Sequence, residues 1–102
     1  MVRQVHIDIP KNRIADFCRK WLITEFSLFG SVLSDDFRPD SDIDVLVSFA
    51  PEAKWSLFDL VEMQDELGRL FGRAVDLVEK QGLHNPFRRH SILTSRQVIY
   101  AA

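Results

Sequence analysis

The sequence contains little of what disulfide-bonded, membrane-spanning or nucleic-acid-binding proteins require. Its 102 residues include one cysteine, so they provide neither a disulfide framework nor a cysteine zinc site. No apolar run approaches the roughly 18 residues of a membrane span, and the N-terminal segment lacks the apolar core of a signal peptide. A net charge of −2 leaves no general basic surface for binding phosphate backbones. We therefore expect a cytoplasmic protein that neither enters membranes nor binds nucleic acid directly.

The pattern of apolar residues predicts an α/β fold with a small mixed sheet, helices mainly on one face, and the other face partly open. Apolar residues make up 46% of the chain, enough for one core, so residues 1–102 are expected to form a single domain. The predicted helices cover Pro10 to about Trp21, Ser56 to Phe71 and about Pro86 to Thr94; the predicted strands cover Thr24–Phe29, Asp42–Phe49, Ala74–Glu79 and Gln97–Tyr100. In the second helix the predicted buried stripe is Leu57, Leu60, Val61, Leu67 and Phe71.

Three aspartates lie in the predicted strands. Asp42 and Asp44 are two residues apart, so their side chains point to the same face of a strand, and Asp76 interrupts another apolar strand. If the two strands are neighbours, the three carboxylates converge and repel one another unless a cation intervenes. Mg²⁺ prefers such oxygen ligands, and two Mg²⁺ ions held here against a nucleoside triphosphate would support nucleotidyl transfer. The alternative is that Ser41 and Asp42 serve only to cap the loop amides.

A Gly-Ser pair precedes the acidic strand and completes the pattern. Gly30 ends a predicted strand and allows close approach of a phosphate, and Ser31 begins a helical turn. The backbone N–H groups of that turn, with the Ser31 hydroxyl, are suitable donors to triphosphate oxygens.

These segments together resemble the minimal nucleotidyltransferases of the DNA polymerase β superfamily, which are commonly encoded beside a HEPN-type toxin as its antitoxin. The resemblance runs from about Ile14 to Tyr100 and rests on Gly30-Ser31, then Asp42 and Asp44, then Asp76. It implies a polymerase-β-like fold, triphosphate binding by Gly30 and Ser31, and metal binding by the three aspartates. It also implies transfer of AMP from ATP to a tyrosine of a HEPN toxin partner.

The segment after Ser31 departs from the family pattern. Family members commonly place a small residue, an arginine and a glycine there, whereas this chain has Val32-Leu33-Ser34-Asp35. The lost cation favours a second hypothesis, an antitoxin that neutralises its partner by binding alone. A third hypothesis is transfer to a small molecule, but nothing in 102 residues supplies a second wall for such a substrate.

The basic side chains offer several replacements for the missing cation. They are Lys11, Arg38, Arg88 and Arg89. The last two belong to the basic cluster Arg88-Arg89-His90, which we interpret first as the solvent face of a helix and next as a contact to nucleotide or partner.

Overall fold

A mixed four-stranded sheet is the framework of the computed structural model, which describes residues 7–34, 37–38 and 40–102. Within these residues the helices are α1 (Lys11–Lys20), α2 (Leu57–Phe71) and α3 (Pro86–Ser95), and the strands are β1 (Ile23–Phe29), β2 (Ile43–Phe49), β3 (Val75–Glu79) and β4 (Gln97–Ala101). Two short 3₁₀ turns, Gly30–Leu33 and Lys80–Gly82, follow β1 and β3. The predicted elements are thus present, with ends shifted by at most one residue.

The strand order is β3-β2-β1-β4, and it combines both kinds of pairing. β1 runs antiparallel to β2 and to β4, whereas β2 and β3 are parallel. A parallel pair cannot be joined by a tight hairpin, so the chain crosses over through α2 before returning as β3.

The two faces of the sheet carry different cores. On one face, α1 and α2 bury the larger cluster, which includes Ile14, Phe17, Cys18, Met63 and Leu67 against Phe26, Leu28, Ile43, Val45 and Val47. On the other face, Leu83 and the α3 residue Ile92 pack with Phe29 and Leu46 in a smaller cluster. This arrangement confirms the predicted α/β class with helices mainly on one face.

The predicted stripe of α2 was partly wrong. Leu67 is buried as expected, but Leu57 is 76% exposed and Val61 is 52% exposed, while Met63 is fully buried. Leu60, Leu70 and Phe71 pack with Met63 and Leu67, so the true stripe follows a helical spacing that begins at Leu60. The first turn of α2 therefore stands away from the core and leaves a groove of about 180 Å³ beside Leu77.

Local chemistry fixes both ends of α2. Ser56 Oγ accepts a hydrogen bond from the Asp59 N–H (3.3 Å), and Asp59 Oδ2 accepts one from the Ser56 N–H (2.9 Å), which completes the predicted capping box. Gly72 ends the helix in the left-handed conformation at φ 71°, also as predicted.

None of the helices in the described part of the chain combines the length and the apolar character needed to cross a membrane.

Replacement of Ser56 by Ala is expected to lower the free energy of unfolding by about 1 kcal/mol, because the capping box loses its acceptor. Urea unfolding followed by circular dichroism would measure this. Ser91→Ala, at an exposed position inside α3, is the matched control and should change stability little. Equal effects of the two substitutions would contradict a capping role.

Candidate active site

The parallel pairing of β2 and β3 places two of the three aspartates beside each other. Asp44 and Asp76 are Cα partners in this register. Their neighbours Ile43, Val45 and Val75 belong to the larger core, so both carboxylates point to the opposite face, on which α3 lies. The predicted convergence of the two strands is therefore observed.

Asp42 lies directly before β2, two residues from Asp44. Both Asp42 and Asp76 are exposed to solvent, whereas Asp44 is half-buried. Partial burial therefore makes the charge of Asp44 costly, whereas the charge of Asp76 remains accessible to solvent. Asp76 escapes burial because β3 is an edge strand and the acid lies near its beginning.

Gly30 is in direct contact with the Asp44 carboxylate. Phe29, the last residue of β1, pairs with Asp44, and Gly30 then takes a left-handed conformation at φ 75°. A Cβ at position 30 would lie closer to Asp44 Oδ2 than non-bonded atoms can approach. Both the backbone angle and the space beside Asp44 therefore require glycine.

The turn Gly30–Leu33 contributes backbone rather than charge to the site. Ser31 is half-buried, and its carbonyl accepts a hydrogen bond from the Ser34 N–H at 2.9 Å. Val32 and Leu33, the two residues after Ser31, are buried in the larger core. Asp35, the fourth residue of this unusual segment, lies outside the described residues.

The surroundings of Asp44 disfavour the ionised form of its carboxyl group. Its partial burial raises the pKa of its carboxyl group above the ordinary value of 3.8, and the charges of Asp76 and Asp42 raise it further. The guanidinium of Arg88 acts in the opposite direction. A cation between these acids would favour the ionised form of Asp44 and relieve the repulsion.

The chemistry of the available donor atoms suits a metal ion, although the described side chains do not already form a metal site. Within residues 7–34, 37–38 and 40–102, no three or more His, Cys, Asp or Glu side chains already stand in a metal-binding arrangement. The charges of Asp42 and Asp76 nevertheless both act on Asp44. The three side chains offer only carboxylate oxygens, the ligands that hard divalent cations prefer.

Arg73, which sequence reasoning missed, holds the loop that leads to Asp42. Its Nη1 donates hydrogen bonds to the carbonyls of Arg38 (3.2 Å) and Ser41 (3.4 Å). Its guanidinium also lies over the Phe37 ring, 4.7 Å from the ring centroid. Ser41 Oγ accepts the Arg38 N–H at 3.0 Å, so Ser41 does serve the loop as the capping alternative expected. No sequence signal near Arg73 indicates its contacts, because Arg38 and Ser41 precede it by 35 and 32 residues.

The predicted basic cluster divides into residues with different roles. Arg88 and His90 are exposed on α3, whereas Arg89 is half-buried and its Nη1 donates a hydrogen bond to the Lys80 carbonyl at 3.0 Å. Arg88 is the member that acts on Asp44.

Comparison with known protein families and structures agrees with this geometry. The family described as "Nucleotidyltransferase domain" matches residues 11–99. The protein adenylyltransferase MntA of Thermococcus cleftensis is 35% identical over 78 residues, which cover 76% of this chain and 74% of that protein.

Solved structures share the fold at lower sequence identity. A crystal structure of a toxin-antitoxin with AMP-PNP superposes with a TM-score of 0.74 at 21% identity, covering 92% of this chain and 75% of that one. A structure of tri-AMPylated Shewanella oneidensis HEPN toxin in complex with MNT antitoxin gives a TM-score of 0.66 at 21% identity, covering 90% and 70% of the respective chains.

Conversion of Asp44 to Asn is expected to leave the metal-free protein as stable as the wild type at neutral pH, or more stable. Because the folded-state pKa of Asp44 is raised, ionisation of this group opposes folding, and the wild type loses stability as pH rises from 3.8 through the folded-state value. The advantage of the Asp44→Asn variant should therefore grow over that window and vanish at lower pH. Chemical unfolding at several pH values would measure it.

Asp65→Asn is the matched control for this experiment, because Asp65 is an exposed acid on α2. It should not reproduce the effect. If Asp44→Asn were clearly less stable than the wild type at neutral pH, Asp44 would be a structural acid.

Replacement of Gly30 by Ala should destabilise the protein more than replacement of Gly72 by Ala. Both glycines have positive φ, so both substitutions cost roughly 1–2 kcal/mol of backbone strain. Only at position 30 does the new methyl group meet Asp44, since nothing lies within 4 Å of a Cβ at Gly72. Urea unfolding of both variants would measure the loss of stability. The carboxyl NMR signal of Asp44 would show whether the new methyl group displaces the Asp44 side chain. Equal losses and an unmoved Asp44 signal would contradict the contact.

Proposed function

This chain belongs to the nucleotidyltransferase domain family, and we propose that it transfers AMP from ATP to a tyrosine of a HEPN-type toxin partner, with Mg²⁺ bound by its aspartates. Through that transfer it would act as the antitoxin of the pair. We also propose that residues 1–102 work as one domain and act in the cytoplasm, where ATP is available.

The observation that carries this proposal is the arrangement around Asp44. Asp76 is its partner across the parallel strands, Asp42 precedes it by two residues, and Gly30 fits against its carboxylate. The raised pKa of Asp44 indicates a position that lacks a neutralising charge. Perturbed carboxylates of this kind are typical of catalytic and metal-binding sites.

The names of the related proteins support the finer parts of the proposal. The Thermococcus cleftensis relative is a protein adenylyltransferase, which favours a protein acceptor and AMP as the transferred group. A structural neighbour holds AMP-PNP, and another is a HEPN toxin carrying AMP in complex with its antitoxin. The net charge of −2 also fits a protein acceptor better than RNA.

In the proposed reaction the tyrosine oxygen attacks the α-phosphorus of ATP. A new oxygen–phosphorus bond forms, the bond from the α-phosphorus to the bridging oxygen breaks, and pyrophosphate leaves. Bound Mg²⁺ would supply activation of the attacking hydroxyl and neutralise the phosphates.

The residues of this chain provide the positioning. Asp42, Asp44 and Asp76 would hold the cations, and one of the three carboxylates would take the phenolic proton. Gly30 allows the phosphates to approach the backbone, and Ser31 supplies its N–H and hydroxyl to their oxygens. Arg73 fixes the loop before Asp42 through the Arg38 and Ser41 carbonyls.

Neutralisation by binding alone is the second candidate, and one observation favours it. Val32 and Leu33 are buried in the core, so this turn offers no charged side chain at the two positions next to Ser31. A site without a cation there would bind triphosphate weakly. The partner would then be inhibited by occlusion, with the aspartates inactive.

We expect the intact mass of a HEPN-type toxin partner to rise by whole AMP units after incubation with this chain, ATP and Mg²⁺. Asp42→Asn should abolish the gain, because it removes a proposed metal ligand from an exposed position at little cost to folding. Asp40→Asn, another exposed acid in the same loop, is the matched control and should retain activity. Electrospray mass spectrometry measures the outcome.

Absence of any mass gain, together with a stable complex of the two proteins, would overturn transfer and support occlusion. A gain that survives Asp42→Asn would show that these acids do not carry the reaction.

A further inference from the structure

We propose that Arg88 of α3 supplies the cation that holds the ATP triphosphate, replacing the arginine that the turn after Ser31 lacks. This inference rests on the proposed nucleotidyl transfer and assigns a ligand-binding role to a residue outside the aspartates and the Gly-Ser turn.

Helix geometry directs Arg88 toward the acidic site. Ile92 is buried in the smaller core with Phe29 and Leu46, on the face of the sheet opposite α1 and α2. Arg88 precedes Ile92 by four residues, so the two side chains lie on the same face of α3, one turn apart. Phe29 is the register partner of Asp44, and Leu46 follows Asp44 by two residues on the same face of β2. Arg88 therefore lies on the same side of α3 as Ile92, and its charge acts on Asp44.

The first turn of α3 is held firmly in this position. Asn85 Oδ1 accepts hydrogen bonds from the N–H groups of Phe87 (3.0 Å) and Arg88 (3.1 Å). Arg89 Nη1 donates to the Lys80 carbonyl, and Leu83 is buried in the same core as Ile92. These contacts fix the Arg88 backbone, while its side chain stays exposed and available to a ligand.

Three other basic side chains have partners of their own. Arg73 is bound to two backbone carbonyls of the loop before β2. Lys80 Nζ and Arg96 Nε lie 3.8 and 3.4 Å from Glu25 Oε2. Arg38, exposed in the loop that Arg73 holds, is the competing candidate.

Arginine suits this task chemically. Its guanidinium stays charged at any physiological pH and presents a planar set of donors that matches phosphate oxygens. Without nucleotide it faces Asp44, whose negative charge it partly offsets. A triphosphate bound beside Gly30 and Ser31 would give it a second, stronger set of acceptors.

Calorimetric titration of the full 102-residue chain with Mg-ATP and with Mg-AMP tests the assignment. Arg88→Ala should weaken ATP binding roughly 10- to 100-fold, because a charge-assisted pair to phosphate is lost, and should change AMP binding much less. Arg88→Lys should recover part of the ATP affinity. Arg13→Ala, an exposed arginine on α1 across the sheet, and Arg38→Ala should both bind ATP like the wild type.

Several outcomes would overturn the assignment. These are wild-type ATP affinity in Arg88→Ala, equal losses for ATP and AMP, or a loss confined to Arg38→Ala. If these occur while the wild type still modifies its partner, only the Arg88 assignment fails. If ATP binding depends on Arg88 but no AMP reaches the partner, only the proposed transfer fails. A wild-type chain that does not bind ATP would overturn both.

Discussion

The parallel pairing of β2 and β3 is the constraint on which the rest of the site depends. Side chains alternate along both strands, so a slip of one residue in either would turn its aspartate into the core. The register is fixed because Ile43 and Val45 must face the same apolar layer as Val75. The crossover through α2 supplies that layer with Met63 and Leu67 and returns the chain in the direction a parallel pair requires. Burial on one face of the sheet therefore determines which carboxylates meet on the other.

This division between faces also explains which parts of the structure were predictable. Strand and helix positions follow from local periodicity, and the capping box at Ser56 and the left-handed Gly72 follow from local turn chemistry. The common face of Asp42 and Asp44 follows from strand alternation alone. The meeting of Asp44 with Asp76 needed only the added assumption that their strands are neighbours, and the sheet order confirms it.

The remaining features depend on contacts between distant segments, which periodicity does not encode. The contact of Gly30 with Asp44 exists because β1 ends opposite that residue. Arg73 reaches across to the loop before β2, and the charge of Arg88, one turn before the buried Ile92, acts on Asp44. The stripe of α2 was misassigned at Leu57 and Val61 because the sequence does not reveal where the helix leaves the sheet.

The burial and like-charge repulsion of Asp44 depart from local stability rules, and this departure favours transfer over occlusion. Gly30 is held at positive φ beside the carboxylate, and the pKa of that carboxyl group is raised by burial and by like charges. This repulsion lowers stability without contributing to a binding surface, since occlusion needs only complementary exposed residues. Neutral side chains at Asp44 and Asp76 would relieve the repulsion and preserve the fold. A pure binder gains nothing from that repulsion, whereas a catalyst that recruits cations to one end of the sheet depends on it.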